Sequence, residues 1–126
     1  MMCEEYVAEW AEAYIENPDT DRLNICAGLA IIQIRKWLID PAFEEESESL
    51  MFLCLAAAAL AYYYYVLEHV QKQPAGDFSA NGVSVKTNFG EELKKAKLLV
   101  NEQLQIVSHL IKVPTSGFAF LNVEER

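Results

Sequence analysis

Positive charge is scarce in this chain. Ten Lys and Arg stand against nineteen Asp and Glu, a formal charge of −9, which excludes the basic footprint of a dedicated nucleic-acid binder. Glycine and proline number only five and four, too few for a collagen-like, low-complexity or loop-dominated chain. Cysteine is limited to Cys3, Cys26 and Cys54. An odd count without CxxC spacing points to free thiols in a reducing interior rather than a disulfide framework. The opening Met1-Met2-Cys3-Glu4-Glu5 has neither a basic nor an apolar stretch, so no export signal is expected. There is no P-loop, GxGxxG, HExxH or GxSxG pattern, so neither an enzyme nor a cofactor is expected.

What remains is apolar. Hydrophobic residues make up 52% of 126 residues, enough for one buried core, and the expectation is a single mainly α domain over residues 1–126. Four helices can be placed, at about 3–16, 18–39, 47–72 and 89–112. In the first, Tyr6, Trp10, Ala13 and Tyr14 recur at helical spacing, while Glu5, Glu9, Glu12 and Glu16 form an acidic stripe on another face. Asn17-Pro18 reads as a cap followed by a first helical residue. The second helix stops before Asp40-Pro41, because a residue preceding proline disfavours helical ψ.

Beyond Gln73 the helical period disappears. Pro74, Gly76 and Asn81-Gly82 interrupt it, and Val83-Ser84-Val85-Lys86-Thr87 alternates like a strand, which predicts a short β-hairpin over about 77–87. Asn88-Phe89-Gly90-Glu91 has the form of a capping box opening the fourth helix. Leu93, Ala96, Val100, Leu104, Val107 and Ile111 form its buried stripe. After Pro114 the chain reads as an extended C-terminal arm, 113–126. The fold class is thus a four-helix bundle-like subunit with a hairpin between helices three and four.

The second and third helices carry apolar residues on more than one face. A helix hydrophobic all round must be covered all round, which predicts assembly with other copies. Tyr62, Tyr63, Tyr64 and Tyr65 sweep every direction around the axis, and tyrosine suits half-wet contacts. With Ile31 and Ile34 they form the expected subunit interface, although the tyrosines can equally fill one subunit's own core and rim. Leu50–Leu67 is 18 residues without a charge, at the threshold of a membrane span. Its alanines and tyrosines, and the lack of Lys/Arg asymmetry, favour a buried helix with no membrane partner.

Residues 1–48 hold 12 acidic and 3 basic groups, whereas residues 49–126 hold 7 of each. The whole excess therefore sits in the first two helices and the connector after them. It reads either as a solvated face or as a surface that repels a polyanion or meets a basic partner. His69 and His109 have no Asp, Glu or Cys at i±3 or i±4 to make a ligand pair, so no metal site is expected; each suits the closing turns of a helix. Lys94, Lys95 and Lys97 form the one basic cluster, on a solvated face.

From Leu60 to Val123 the order of features resembles the head–tail connector family of tailed phages and prophages, also called head-completion or DNA-packaging adaptor proteins. An Ala- and Tyr-rich helix (AAAALAYYYYVLEHV) leads to a Gly-bounded patch (FSANGVSVKTN). An amphipathic helix (EELKKAKLLVNEQLQIVSHLI) and an aromatic tail after a proline (GFAFLNV) follow. Members usually open with an Asp-rich segment and an Ala-rich second helix, whereas this chain is Glu- and Ala-rich at its start and Ile-rich in helix two. The resemblance implies a structural subunit that forms a ring below the portal and extends the DNA channel. Its partners would be copies of itself, the portal protein, a tail-side completion protein, and DNA passing without specific binding. It would reside in the virion once assembled and in the host cytoplasm before. Under that resemblance Glu5, Glu9, Glu12 and Glu16 would line or flank the channel, and Phe118, Phe120 and Val123 would dock on the portal or a neighbour. The alternative is a small cytosolic helical interaction or regulatory module, expected to be dimeric.

Overall fold

A computed structural model describes residues 1–72 and 78–113, with side chains described over 1–69 and 90–113. Four α-helices follow one another: α1 (Glu4–Glu12), α2 (Thr20–Trp37), α3 (Ser47–Lys72) and α4 (Phe78–Ile106), with a 3-10 turn at Pro41–Glu45 between α2 and α3. The architecture is a mainly helical bundle, and no strand is present among the described residues.

α3 is the hub. It packs against α1, α2 and α4, while α1 also packs on α2. Its run Ala56-Ala57-Ala58-Ala59-Leu60-Ala61 is wholly enclosed. Alanines keep the backbone close to its neighbours, so three helices can crowd around one axis. Leu53, Tyr62, Tyr65 and Val66 are buried as well. Over this stretch the apolar helix is covered within one chain, whereas Met51 nearer its start is 56% exposed.

Several local expectations are corrected. The hairpin over about 77–87 is not formed: residues 78–87 lie inside α4, and residue 77 is outside the described set. A two-stranded hairpin with a three-residue leading arm has no sheet to join and is marginal in water. Extending α4 instead adds a backbone hydrogen bond per residue. For the same reason no helix begins at Asn88–Glu91, because α4 already runs through that segment.

The turn between α1 and α2 also differs. α1 ends at Glu12, four residues before the acidic stripe does, and Asn17 adopts a left-handed φ of 53°, which asparagine tolerates better than most residues. Asp19 rather than Asn17 caps α2, its carboxylate accepting from the Arg22 amide at 3.3 Å. At the far end α4 stops at Ile106. A turn follows, and the chain then pairs antiparallel with the end of α2: the Ile39 amide donates to the Leu110 carbonyl at 3.0 Å and Lys112 to Trp37 at 2.8 Å. Of the arm expected at 113–126, all but Val113 lies outside the described residues.

Candidate functional site

The residues expected at a subunit interface divide by burial. Ile31 and Ile34 point into the core, and Tyr62 and Tyr65 are buried with them. These four belong to the chain's own interior. Tyr63 and Tyr64 are half-buried and pack against the same core. Burial pushes the Tyr64 phenol up to about 12, with the neighbouring Tyr63 adding to the effect.

The periodicity of α2 concealed which face remains open. Ile25, Leu29 and Ile32 are 50%, 53% and 53% exposed. At steps of four and three residues they fall on one line along the helix. Asp21 and Lys36 stand exposed at the two ends of that line. The signal was available in the sequence, but α2 is apolar on both sides, and only the placement of α3 decides which side is inside. Leu98 and Ile106 are exposed on α4.

The acidic stripe is partly assembled. Glu5, Glu9 and Glu12 share a shallow hollow where α1 meets Thr20, Leu23 and Asn24 of α2. Glu16 stands apart from them, exposed in the bend after α1. It instead borders a pocket of about 440 Å³ together with Tyr14, Tyr62, Tyr65, His69, Glu92 and Lys95. There the Tyr62 hydroxyl donates to the Glu92 carboxylate and its ring stacks on Tyr14, centroids 5.3 Å apart. Burial first, and then Glu92, raise the Tyr62 phenol above its ordinary range. The Tyr65 hydroxyl accepts from the Asp19 amide at 2.9 Å, tying α3 to the start of α2. His69 Nδ1 lies 2.9 Å from the Tyr65 carbonyl, one turn back along α3. These contacts give the Tyr62 and Tyr65 hydroxyls and the His69 ring partners within the chain.

Two ion pairs that the sequence did not single out brace the ends of α2. Arg22 donates from Nε to Glu68 Oε1 at 2.8 Å and pairs through a second nitrogen with Oε2. Arg35 forks onto Glu44, and Glu44 also accepts from the Met2 amide at 2.8 Å. Each partner lies far away in sequence or in a connector, so no helical spacing reveals it. No group of three His, Cys, Asp or Glu among the described residues is placed to hold a metal ion. His109 is exposed in the turn after α4. The window Ser47–His69 is long and apolar enough to cross a membrane, and 67% of it is buried inside the bundle, as in the core helix of a folded domain. Phe118, Phe120 and Val123 lie outside the described residues.

No family model, no curated protein and no solved structure matches this chain.

Proposed function

We propose that this chain is a structural head–tail connector subunit of a tailed phage or prophage, forming a ring below the portal and extending the DNA channel. The observation that carries the reading is the ordered series from Leu60 to Val123: the Ala- and Tyr-rich helix, the FSANGVSVKTN patch, the amphipathic helix and the aromatic tail. The geometry is compatible with that use. α3 and α4, of 26 and 29 residues, are long helices packed on each other, the kind of stiff pair that suits a load-bearing wall. Glu5, Glu9 and Glu16 face solvent, and fixed negative charge beside a duct keeps DNA sliding rather than sticking. In this reading Phe118, Phe120 and Val123 dock on the portal or a neighbour by strand addition, and a tail-side completion protein meets the opposite rim. The virion is the final location, and the host cytoplasm the earlier one.

The test is co-sedimentation with the portal protein of the same genome, with ring formation followed by electron microscopy. The full chain is expected to bind portal. A chain lacking Thr115 to Arg126 is expected to lose binding while keeping its helical circular dichroism. If the full chain fails to bind, or the shortened chain binds equally well, the connector reading or its docking element falls respectively. The second reading, a dimeric helical interaction module, is favoured by the open line Ile25, Leu29 and Ile32 on α2. It predicts self-association that stops at two copies and no affinity for portal.

A further inference from the structure

The open face of α2 has a symmetry that a simple apolar patch lacks. Counted from a centre between Gly28 and Leu29, its exposed residues come in matched positions: Asp21 with Lys36, and Ile25 with Ile32. Each member of a pair lies equally far from that centre, on opposite sides of it. If a second copy of the helix is laid antiparallel on this face, Asp21 meets the partner copy's position 36 and Ile25 meets position 32. Near the axis, Leu29 falls against position 28, a glycine whose missing side chain is covered only by the carboxylate end of Glu4. The apolar residues then cover one another, and opposite charges close both ends.

We infer that α2 is a self-recognition surface, pairing with α2 of a second copy of this chain in an antiparallel, two-fold arrangement. A two-fold contact uses the same patch on both subunits and must be self-complementary, and the order acid–apolar–apolar–base satisfies that condition. A parallel pair would set Asp21 against Asp21 and Lys36 against Lys36, which like-charge repulsion disfavours. The stripe from Asp21 to Lys36 is about 22 Å long at 1.5 Å per residue, so the contact is small and the pairing reversible. The other cations on α2's flanks, Arg22 and Arg35, are already held by Glu68 and Glu44 of their own chain. Glu4 of α1 reaches over Gly28, where its carboxylate end sits 2.9 Å from the place a Cβ would occupy. As the far end of a flexible side chain it swings clear when a second helix arrives. Because a two-fold pair closes on itself, it describes the free chain before any ring forms, and it stands or falls separately from the connector reading.

The experiment is a charge exchange followed by sedimentation velocity across the micromolar-to-millimolar range, with circular dichroism as the check on folding. The natural chain is expected to shift from monomer to dimer as concentration rises. Asp21→Lys and Lys36→Asp are each expected to weaken self-association about tenfold, since each reverses two contacts per dimer. An equimolar mixture of the two variants is expected to pair at least as tightly as the natural chain, because every end then meets its opposite. Leu29→Asp is expected to abolish pairing in all backgrounds while leaving the helical spectrum intact. A natural chain that stays monomeric throughout overturns the inference, as does a dimer that survives Leu29→Asp. So does a mixture of the two charge variants that fails to regain pairing. Binding to portal plays no part in this readout, so the two readings fail independently.

Discussion

Arg35 and Glu44 lock the C-terminal half of α2 to the connector that follows it. Arg35 Nε lies 3.0 Å from Glu44 Oε1, and its Nη2 lies 2.8 Å from Oε2. Glu44 is 7% exposed and also receives the Met2 amide, so one carboxylate joins the N-terminal segment, α2 and the 3-10 turn.

Glu44 makes stability depend on pH. The Arg35 hydrogen bonds, with the Met2 amide and nearby positive charge, hold its carboxyl below the ordinary 4.5 against the opposing pull of burial. A depressed folded-state pKa contributes stability that is complete above the unfolded value and is lost as pH falls through the folded one. The urea midpoint should therefore decline as pH drops below about 4.5. Glu44→Gln should be less stable at neutral pH by about 2 kcal/mol and show a flatter acid limb. An identical acid limb in both proteins would show that other carboxylates govern it.

Leu60 and Leu29 are the same residue type in opposite settings, the first fully buried on α3 and the second half exposed on α2. Leu60→Ala should cost about 2–5 kcal/mol through lost burial and the cavity left behind. Leu29→Ala should stay within about 0.5 kcal/mol for the monomer. Denaturant unfolding at low protein concentration measures both.

Ala58 is enclosed where α3 meets its neighbours. Ala58→Leu should destabilise by about 1–3 kcal/mol, although leucine is nearly as good a helix former, because the added atoms have nowhere to go. Thermal unfolding followed at the helical circular dichroism band checks this.

Tyr62→Phe removes the hydroxyl that donates to Glu92 while keeping the ring stacked on Tyr14. The expected loss is about 1–2 kcal/mol. It should disappear when Glu92 is also replaced by Ala, if the pair accounts for it; a double-mutant cycle by chemical denaturation separates the terms.

Cys26 should resist thiol reagents. Burial first, then the charge of Glu68, pushes its thiol up to about 11, against a smaller opposing effect of Arg22. At about pH 8 roughly one part in a thousand is thiolate even before access is considered. Cys3, which is only partly buried, should label first in a time course read by mass spectrometry, with Cys26 and Cys54 labelling only as the chain unfolds.

The helical class was legible because periodicity and length point the same way over long stretches. α3 is the plainest case: Ser47–Lys72 holds no proline or glycine, and its two acidic residues, Glu48 and Glu68, sit near its ends. The hairpin was misread because Asn81-Gly82 and the alternation after it are local signals. A helix already seeded on α3 overrides them for the cost of a glycine, about 1 kcal/mol. The inward face of α2 was hidden for a related reason. Ile31, Ile34, Ile25 and Ile32 look alike along α2, and nothing in their spacing says which pair turns inward.

Composition and order by themselves determined that this chain folds as helices around an apolar centre, and that its acidic excess sits in the first 48 residues. Hydrophobic period and net charge are properties of the string, and need no partner to be read. Only the tertiary structure decided that α3 is covered by α1, α2 and α4, and that α2 keeps Ile25, Leu29 and Ile32 in water. It also decided that Arg22 and Arg35 find Glu68 and Glu44. Burial and ion pairing depend on which faces meet, and that choice is made by packing the whole chain at once.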